Sequence, residues 1–240
     1  MHDTVVIPIA LTNLDYSVGR KEILKGVTFT LNSGRTLGLL GLNGAGKTSL
    51  IQVILGLSTA KGGTASLFGT PAQHRKSFGK VGYAPEEPSF PDFLTVQEYM
   101  DFVAQVRMPQ RQQRKNEVTR QLAQFDLEGT KRIRDLSKGM RRKLSLAQAF
   151  IGSPELMILD EPLTGLDPMA IVKLREIILE AKKRGVGFLI SSHILSEVEI
   201  VCDEIVILKQ GKVELVETVD ALSAKSMTVE TAFTEYHKTT

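Results

Sequence analysis

The chain has 240 residues, a formal net charge of +3, 42% hydrophobic residues and a single cysteine. Its hydrophobic share is that of a globular domain, and no stretch approaches the roughly 18 apolar residues that span a bilayer, which excludes a transmembrane helix. One cysteine excludes an internal disulfide and points to reducing surroundings, and the N-terminus lacks the basic and apolar regions of a secretory signal.

Residues 1–85 are expected to hold an N-terminal antiparallel β region and the start of a nucleotide-binding core. Tyr16 follows an N-terminal strand, where a tyrosine taken alone is as readily sheet packing as a ligand contact. Residues 36–40 read as a short apolar strand and residues 49–55 as the first turns of a helix. Between them Gly41-Leu42-Asn43-Gly44-Ala45-Gly46-Lys47-Thr48 matches G-x-x-x-x-G-K-[ST] in full, with Ser49 opening the helix. Glycines permit positive φ and close backbone approach, so successive N–H groups can surround a phosphate at the helix N-terminus. Lys47 adds a point charge for the β- and γ-phosphates, and the Thr48 hydroxyl suits magnesium. The motif is specific for nucleoside triphosphates.

Residues 86–150 are expected to be mostly helical. Basic clusters at 111–115, 131–134, 141–143 and 182–184 read as solvated faces, because acids are nearly as numerous and no aromatics interleave with them; 141–143 could also face a partner or lipid headgroups. Leu136-Ser137-Lys138-Gly139-Met140 opens an amphipathic helix to about residue 151, with Ser137 as N-cap. Leu156-Met157-Ile158-Leu159 is a continuous apolar run, suited to a parallel strand buried on both faces. It ends in Asp160 and Glu161, which such a sheet projects into the crevice beyond its strand ends. An acidic pair there can hold magnesium and orient a water.

Asp167 caps the next helix, with Pro168 at its first position and Ile171, Leu174, Ile178 and Ala181 on one face. A strand over 186–191 delivers Ser192-His193; a lone histidine at a strand end is more often structural. Cys202 reads as a packed thiol before a strand at 204–208. Gln210-Gly211 reads as a hairpin turn into 213–216, and 219–225 and 229–236 as two short helices. No appended regulatory or sugar-binding domain is expected beyond them.

Together these motifs resemble the ATP-binding cassette (ABC) ATPases. The fold implied is α/β: a P-loop NTPase core with a mixed, largely parallel sheet over residues 1–85 and 151–217, an N-terminal antiparallel β subdomain, a helical subdomain at 86–150 and short C-terminal helices at 218–240. The resemblance implies nucleotide contacts from Tyr16, stacked on adenine, and from Gly41, Leu42, Asn43, Gly44, Ala45, Gly46, Lys47, Thr48 and Ser49. Residues 136–140 stand where the family has Leu-Ser-Gly-Gly-Gln, so Ser137 and Gly139 would touch the γ-phosphate of ATP on an opposing subunit. Glu161, His193 and Lys47 are the implied catalytic group, with Thr48, Asp160 and Glu86 at magnesium; Glu86 stands where glutamine is usual. Residues 162–167 match the dimer-contact loop.

One phosphate loop and one signature mean one cassette, so a homodimer or a second cassette is implied. A separate membrane permease would hold the protein peripherally at the cytoplasmic face of the cell membrane. ATP and magnesium are the implied cofactors, and no nucleic acid is expected. Ser-Lys-Gly-Met, Gly-Tyr-Ala-Pro-Glu and the ending Thr228-Val229-Glu230-Thr231-Ala232-Phe233 resemble the export branch. Two other readings stay open: a soluble ATP switch that remodels a protein or nucleic-acid complex, and a non-hydrolysing ATP-binding regulator.

Overall fold

The computed structural model describes residues 7–238. The long strands β1 (Ile9–Val18) and β2 (Lys21–Leu31) lead into β3 (Thr36–Leu40), α1 (Lys47–Ile54), β4 (Gly62–Leu67), β5 (Thr70–Pro71) and β6 (Val81–Ala84). Three helices follow: α2 (Val96–Arg107), α3 (Arg111–Gln124) and α4 (Lys138–Phe150). The chain then forms β7 (Leu156–Asp160), α5 (Pro168–Lys183), β8 (Gly187–Ser191), α6 (Leu195–Val201), β9 (Glu204–Lys209), β10 (Lys212–Thr218), α7 (Val219–Ala224) and α8 (Val229–Lys238).

These strands make two sheets. The first is antiparallel, in the order β2-β1-β4-β5; the second runs β10-β9-β3-β8-β7-β6, parallel except where β10 pairs antiparallel with β9. The second sheet is covered on both sides. Met157 and Leu159 pack with the helical layer, whereas Ile158 packs with α1 and the antiparallel sheet, and Phe188, Ile190 against Leu189 divide the same way. Alternation between two apolar clusters is why these strands read as unbroken hydrophobic runs. Fully burying a side chain of this size contributes about 1.5–3 kcal/mol, so the two clusters are the main source of cohesion.

Local chemistry sets the helix boundaries. Thr95 and Glu98 form a reciprocal capping box at α2: the Thr95 hydroxyl accepts from the Glu98 N–H at 3.2 Å, and the Glu98 carboxylate accepts from the Thr95 N–H at 2.7 Å. Asp167 caps α5 by accepting from the Ala170 N–H at 2.9 Å. The inward face of α5 is Leu174, Ile177, Ile178 and Ala181, with Ile171 only half-buried. α1 begins at Lys47, two residues before the expected start, because Gly46 turns the chain straight into the helix. Between β9 and β10, Gln210 (φ 49°) and Gly211 (φ 81°) supply the two positive φ values that a tight hairpin turn needs.

Cys202 is buried beside α6, and burial, with Asp203 next to it, pushes its thiol well above the ordinary range. Reactivity belongs to the thiolate, so iodoacetamide at pH 8 is expected to label Cys202 only after denaturation, as read by intact-mass spectrometry.

Candidate functional site

All five parallel strands end on one edge, and four of them deliver side chains to a single cleft. β3 runs into the glycine loop, β6 into Pro85-Glu86, β7 into Glu161 and β8 into Ser192-His193. The cleft has a volume of 1070 Å³ and is lined on one side by Gly41, Leu42, Asn43, Gly44, Gly46, Lys47, Thr48 and Ser49. Glu86, Asp160, Glu161 and His193 line the other.

Gly46 sits at φ 109°, and a Cβ there would lie 3.0 Å from Leu24 Cδ2 and 3.3 Å from the Ile23 carbonyl oxygen. Conformation and space both demand glycine, and the result is a loop that opens directly onto the α1 N-terminus, where N–H groups and the helix dipole favour an anion. Lys47 is 8% exposed, and its ammonium donates to the Gly41 carbonyl at 2.7 Å. That places a cation along the loop.

Asp160 is 1% exposed and lies in register with Ser191, whose hydroxyl donates to its Oδ1; Oδ2 has no hydrogen-bond partner. Burial pushes this carboxyl above its ordinary range and Glu161 adds to the rise, against the Ser191 hydrogen bond and the nearby Thr48 and Lys47. Glu161 follows at φ 48°, a left-handed conformation costly for this residue type. Its N–H donates to the Ser191 hydroxyl at 2.8 Å, and its Oε2 lies 2.6 Å from His193 Nδ1. Because an ionised carboxylate only accepts, Nδ1 is the donor, which leaves Nε2 of a mostly exposed ring free to meet a ligand.

A family model described as "ABC transporter" matches residues 24–164, more than half of the chain. The chain belongs to the ABC transporter ATP-binding family. It is 42% identical over 198 residues to an ABC transporter ATP-binding protein of Synechocystis, covering 80% of this chain and 55% of that protein. It thus spans little more than half of that relative's length. With the Nod factor export ATP-binding protein I of Burkholderia lata it shares 34% identity over 86% of this chain and 69% of the other. A solved structure titled "Structure of ATP binding subunit of ABC transporter" superposes with a TM-score of 0.89 at 31% identity, covering 95% of this chain and 98% of that one.

In this ABC ATP-binding chain the signature stands apart from the cleft. Ser137 is exposed at the head of α4, where its hydroxyl accepts from the Met140 N–H at 3.2 Å, and a Cβ on Gly139 would lie 2.9 Å from the Gly165 carbonyl. Neither residue lines the cleft of its own chain. Ala45 is folded into the loop at 6% exposure, and Tyr16 lies outside the cleft lining, packing on the antiparallel sheet with its hydroxyl 3.3 Å from Ser58 Oγ.

The structure also adds residues to the site. Lys21, Ile23, Thr164 and Phe233 line the cleft. Ile23 follows from its place beside the loop, and Phe233 arrives on α8, a helix packed against α6. The 141–143 cluster is not uniformly solvated: Arg142 is 3% exposed and turned into the protein. Its helical phase carries the signal, since Ser145, Leu146 and Ala149 share that face and are buried.

Proposed function

We propose that this chain is the ATP-binding and ATP-hydrolysing subunit of an ABC transporter, driving export through a separate membrane subunit. One observation carries the reading: a single cleft gathers a phosphate loop, a buried acidic pair and His193, while the signature of the same chain points elsewhere. A site so divided is completed by a second cassette, whose Ser137 and Gly139 would meet the γ-phosphate of the first; a homodimer satisfies this, as does a paired second chain. Glu161 then orients or deprotonates the attacking water, and His193 Nε2 contacts the γ-phosphate.

Magnesium fits this cleft. Asp160 Oδ2 is a buried oxygen without a partner, close to the Thr48 hydroxyl, with Glu86 at the rim. Among the described residues no three Asp, Glu, His or Cys side chains form a self-sufficient metal group. An ion held by Thr48 and Asp160 would take its remaining oxygens from phosphate and water, in the usual manner of magnesium, and neutralise charge on the β- and γ-oxygens.

Among the described residues no helix is long and apolar enough to cross a membrane, and on this reading a separate membrane subunit would supply the transport path. A groove lined by Leu55, Leu57, Phe78, Tyr83 and Val103 lies along β6, with Phe102 and Val106 exposed on α2. We assign it to the permease, which would hold the protein at the cytoplasmic face. Several basic residues are met by acids, as in Arg141–Asp92, Lys143–Asp126 and Arg120–Glu117, and Arg114, Arg132 and Arg142 donate to backbone carbonyls, which supports a reading without nucleic acid. The relative named for Nod factor export supports the direction of transport.

Tagged protein isolated from its native host is expected to fractionate with membranes, to carry an integral membrane subunit in stoichiometric amount and to show ATPase activity abolished by EDTA. Recovery in the soluble fraction on a protein or nucleic-acid complex would replace this reading with that of a remodelling switch.

A further inference from the structure

α4 carries three consecutive basic residues, and each goes a different way. Arg141 reaches out to Asp92, and Lys143 Nζ lies 4.0 Å from Asp126. Arg142 turns inward, and its guanidinium meets backbone carbonyls from two separate segments. Its Nη1 donates to Pro85, and its Nη2 donates to Asp160 at 2.9 Å and to Glu161. These are the carbonyls at and just beyond the ends of β6 and β7.

Such acceptors are awkward for a fold. They lie where the ladders of β6 and β7 give out, and a buried carbonyl left without a partner keeps its full desolvation penalty. A guanidinium is the one side chain with a rigid fork of donors, so one residue can serve several carbonyls at once. α4 is brought within reach because it packs tightly on β6: a Cβ on Gly82 would lie only 2.2 Å from the Ala149 carbonyl oxygen.

We propose that Arg142 is a positioning residue for hydrolysis, fixing the peptide that carries Glu161 and tying it, together with the Pro85-Glu86 loop, to the signature helix. The inference rests on the reading of Glu161 as the water-orienting group. Glu161 is held at φ 48°, a left-handed conformation that is strained for this residue type and persists only where its surroundings over-determine it. Here both flanking peptide groups are engaged: Ser191 accepts from the Glu161 N–H, and Arg142 donates to the Glu161 carbonyl. The carboxylate is thereby set beside His193.

Its second consequence is mechanical. Ser137 and Arg142 are five residues apart on one helix, about 7.5 Å at 1.5 Å per residue, with no break between them. A displacement of the signature end therefore reaches the Glu161 and Pro85 carbonyls through a single side chain. Burial works against the guanidinium charge, while Asp160, Glu86 and Glu161 sustain it.

The test compares Arg142→Lys and Arg142→Gln with wild type and with Glu161→Gln. kcat and KM are measured with magnesium ATP and normalised to the fraction of molecules that bind a fluorescent ATP analogue. The phosphate loop is untouched, so nucleotide Kd is expected to stay within about two-fold. kcat per competent molecule should fall by at least ten-fold in Arg142→Gln, with partial recovery in Arg142→Lys, which keeps stem and charge but not the fork. A lowered Tm and competent fraction with unchanged kcat per competent molecule would mean a purely structural role and overturn the inference. Arg142→Lys retains the buried stem, so its kcat decides should Arg142→Gln not fold. Wild-type turnover in the Arg142 variants beside a slow Glu161→Gln removes this inference alone; wild-type turnover in Glu161→Gln removes the reading on which it stands.

Discussion

Glu161→Gln is expected to lower steady-state ATP hydrolysis by roughly 10²–10⁴-fold, the range contributed by a positioned base, while nucleotide affinity changes little. The amide is isosteric with the carboxylate, and its oxygen can still accept from His193 Nδ1, now 2.6 Å from Glu161 Oε2. The hydrogen bonds that hold the φ 48° backbone, from its N–H to Ser191 and from Arg142 to its carbonyl, do not involve the side chain at all. Position survives and basicity is lost. Phosphate release measures the rate, and on the proposed pairing of two cassettes sizing chromatography with ATP should reveal an accumulated dimer, because the pair would still close while its opening would wait on hydrolysis. A variant that turns over at the wild-type rate and elutes as a monomer would falsify the assignment of the base.

The parts of the fold that could be read from the chain are those with a local cause. β7 and β8 are apolar runs because both of their faces are buried, and punctuation by Pro154, Pro162 and Gly185 marks their limits. The caps Ser137 and Asp167 state where α4 and α5 begin. The antiparallel sheet has no such signal. Its β1–β4 register, with Ile9 opposite Leu67 and Asp15 opposite Gly62, joins segments some fifty residues apart and contains irregularities that no period-2 pattern encodes.

The site divides in the same way. The glycine loop and the Asp160-Glu161 pair are contiguous, so their chemistry can be seen in the sequence, and His193 follows its strand directly. Arg142 was hidden by its neighbours, because three basic residues in a row suggest a solvated surface until the helical phase of the middle one is considered. Phe233 reaches the cleft only because α8 packs against α6 and β9, a tertiary fact with no local trace. Tyr16 matches a family pattern in sequence, and in the fold it is partly buried against the antiparallel core with its hydroxyl 3.3 Å from Ser58 Oγ.

Lys47→Ala is expected to act at the opposite end of the reaction from Glu161→Gln, weakening ATP binding itself. Hydrogen bonds to charged groups contribute about 1.5–3 kcal/mol, so Kd should rise roughly 10–150-fold, as measured by calorimetry or displacement of a fluorescent nucleotide. Lys47 is 8% exposed and its ammonium rests on the Gly41 carbonyl of its own loop. Removing it takes a charge out of a poorly hydrated place, so the nucleotide-free protein should lose little stability, and Tm is the control that separates a binding defect from a folding one. Lys47→Arg should not restore affinity, since a planar fork replaces a compact ammonium in a loop already closed by Gly46 and Ile23. Unchanged affinity in Lys47→Ala would mean that backbone N–H groups and the α1 dipole hold the phosphates unaided. On the proposed reading the two variants would divide the cleft into a half that captures the nucleotide and a half that cleaves it. Arg142 touches only the second half, which is why its substitution should follow Glu161 in kcat and not Lys47 in Kd.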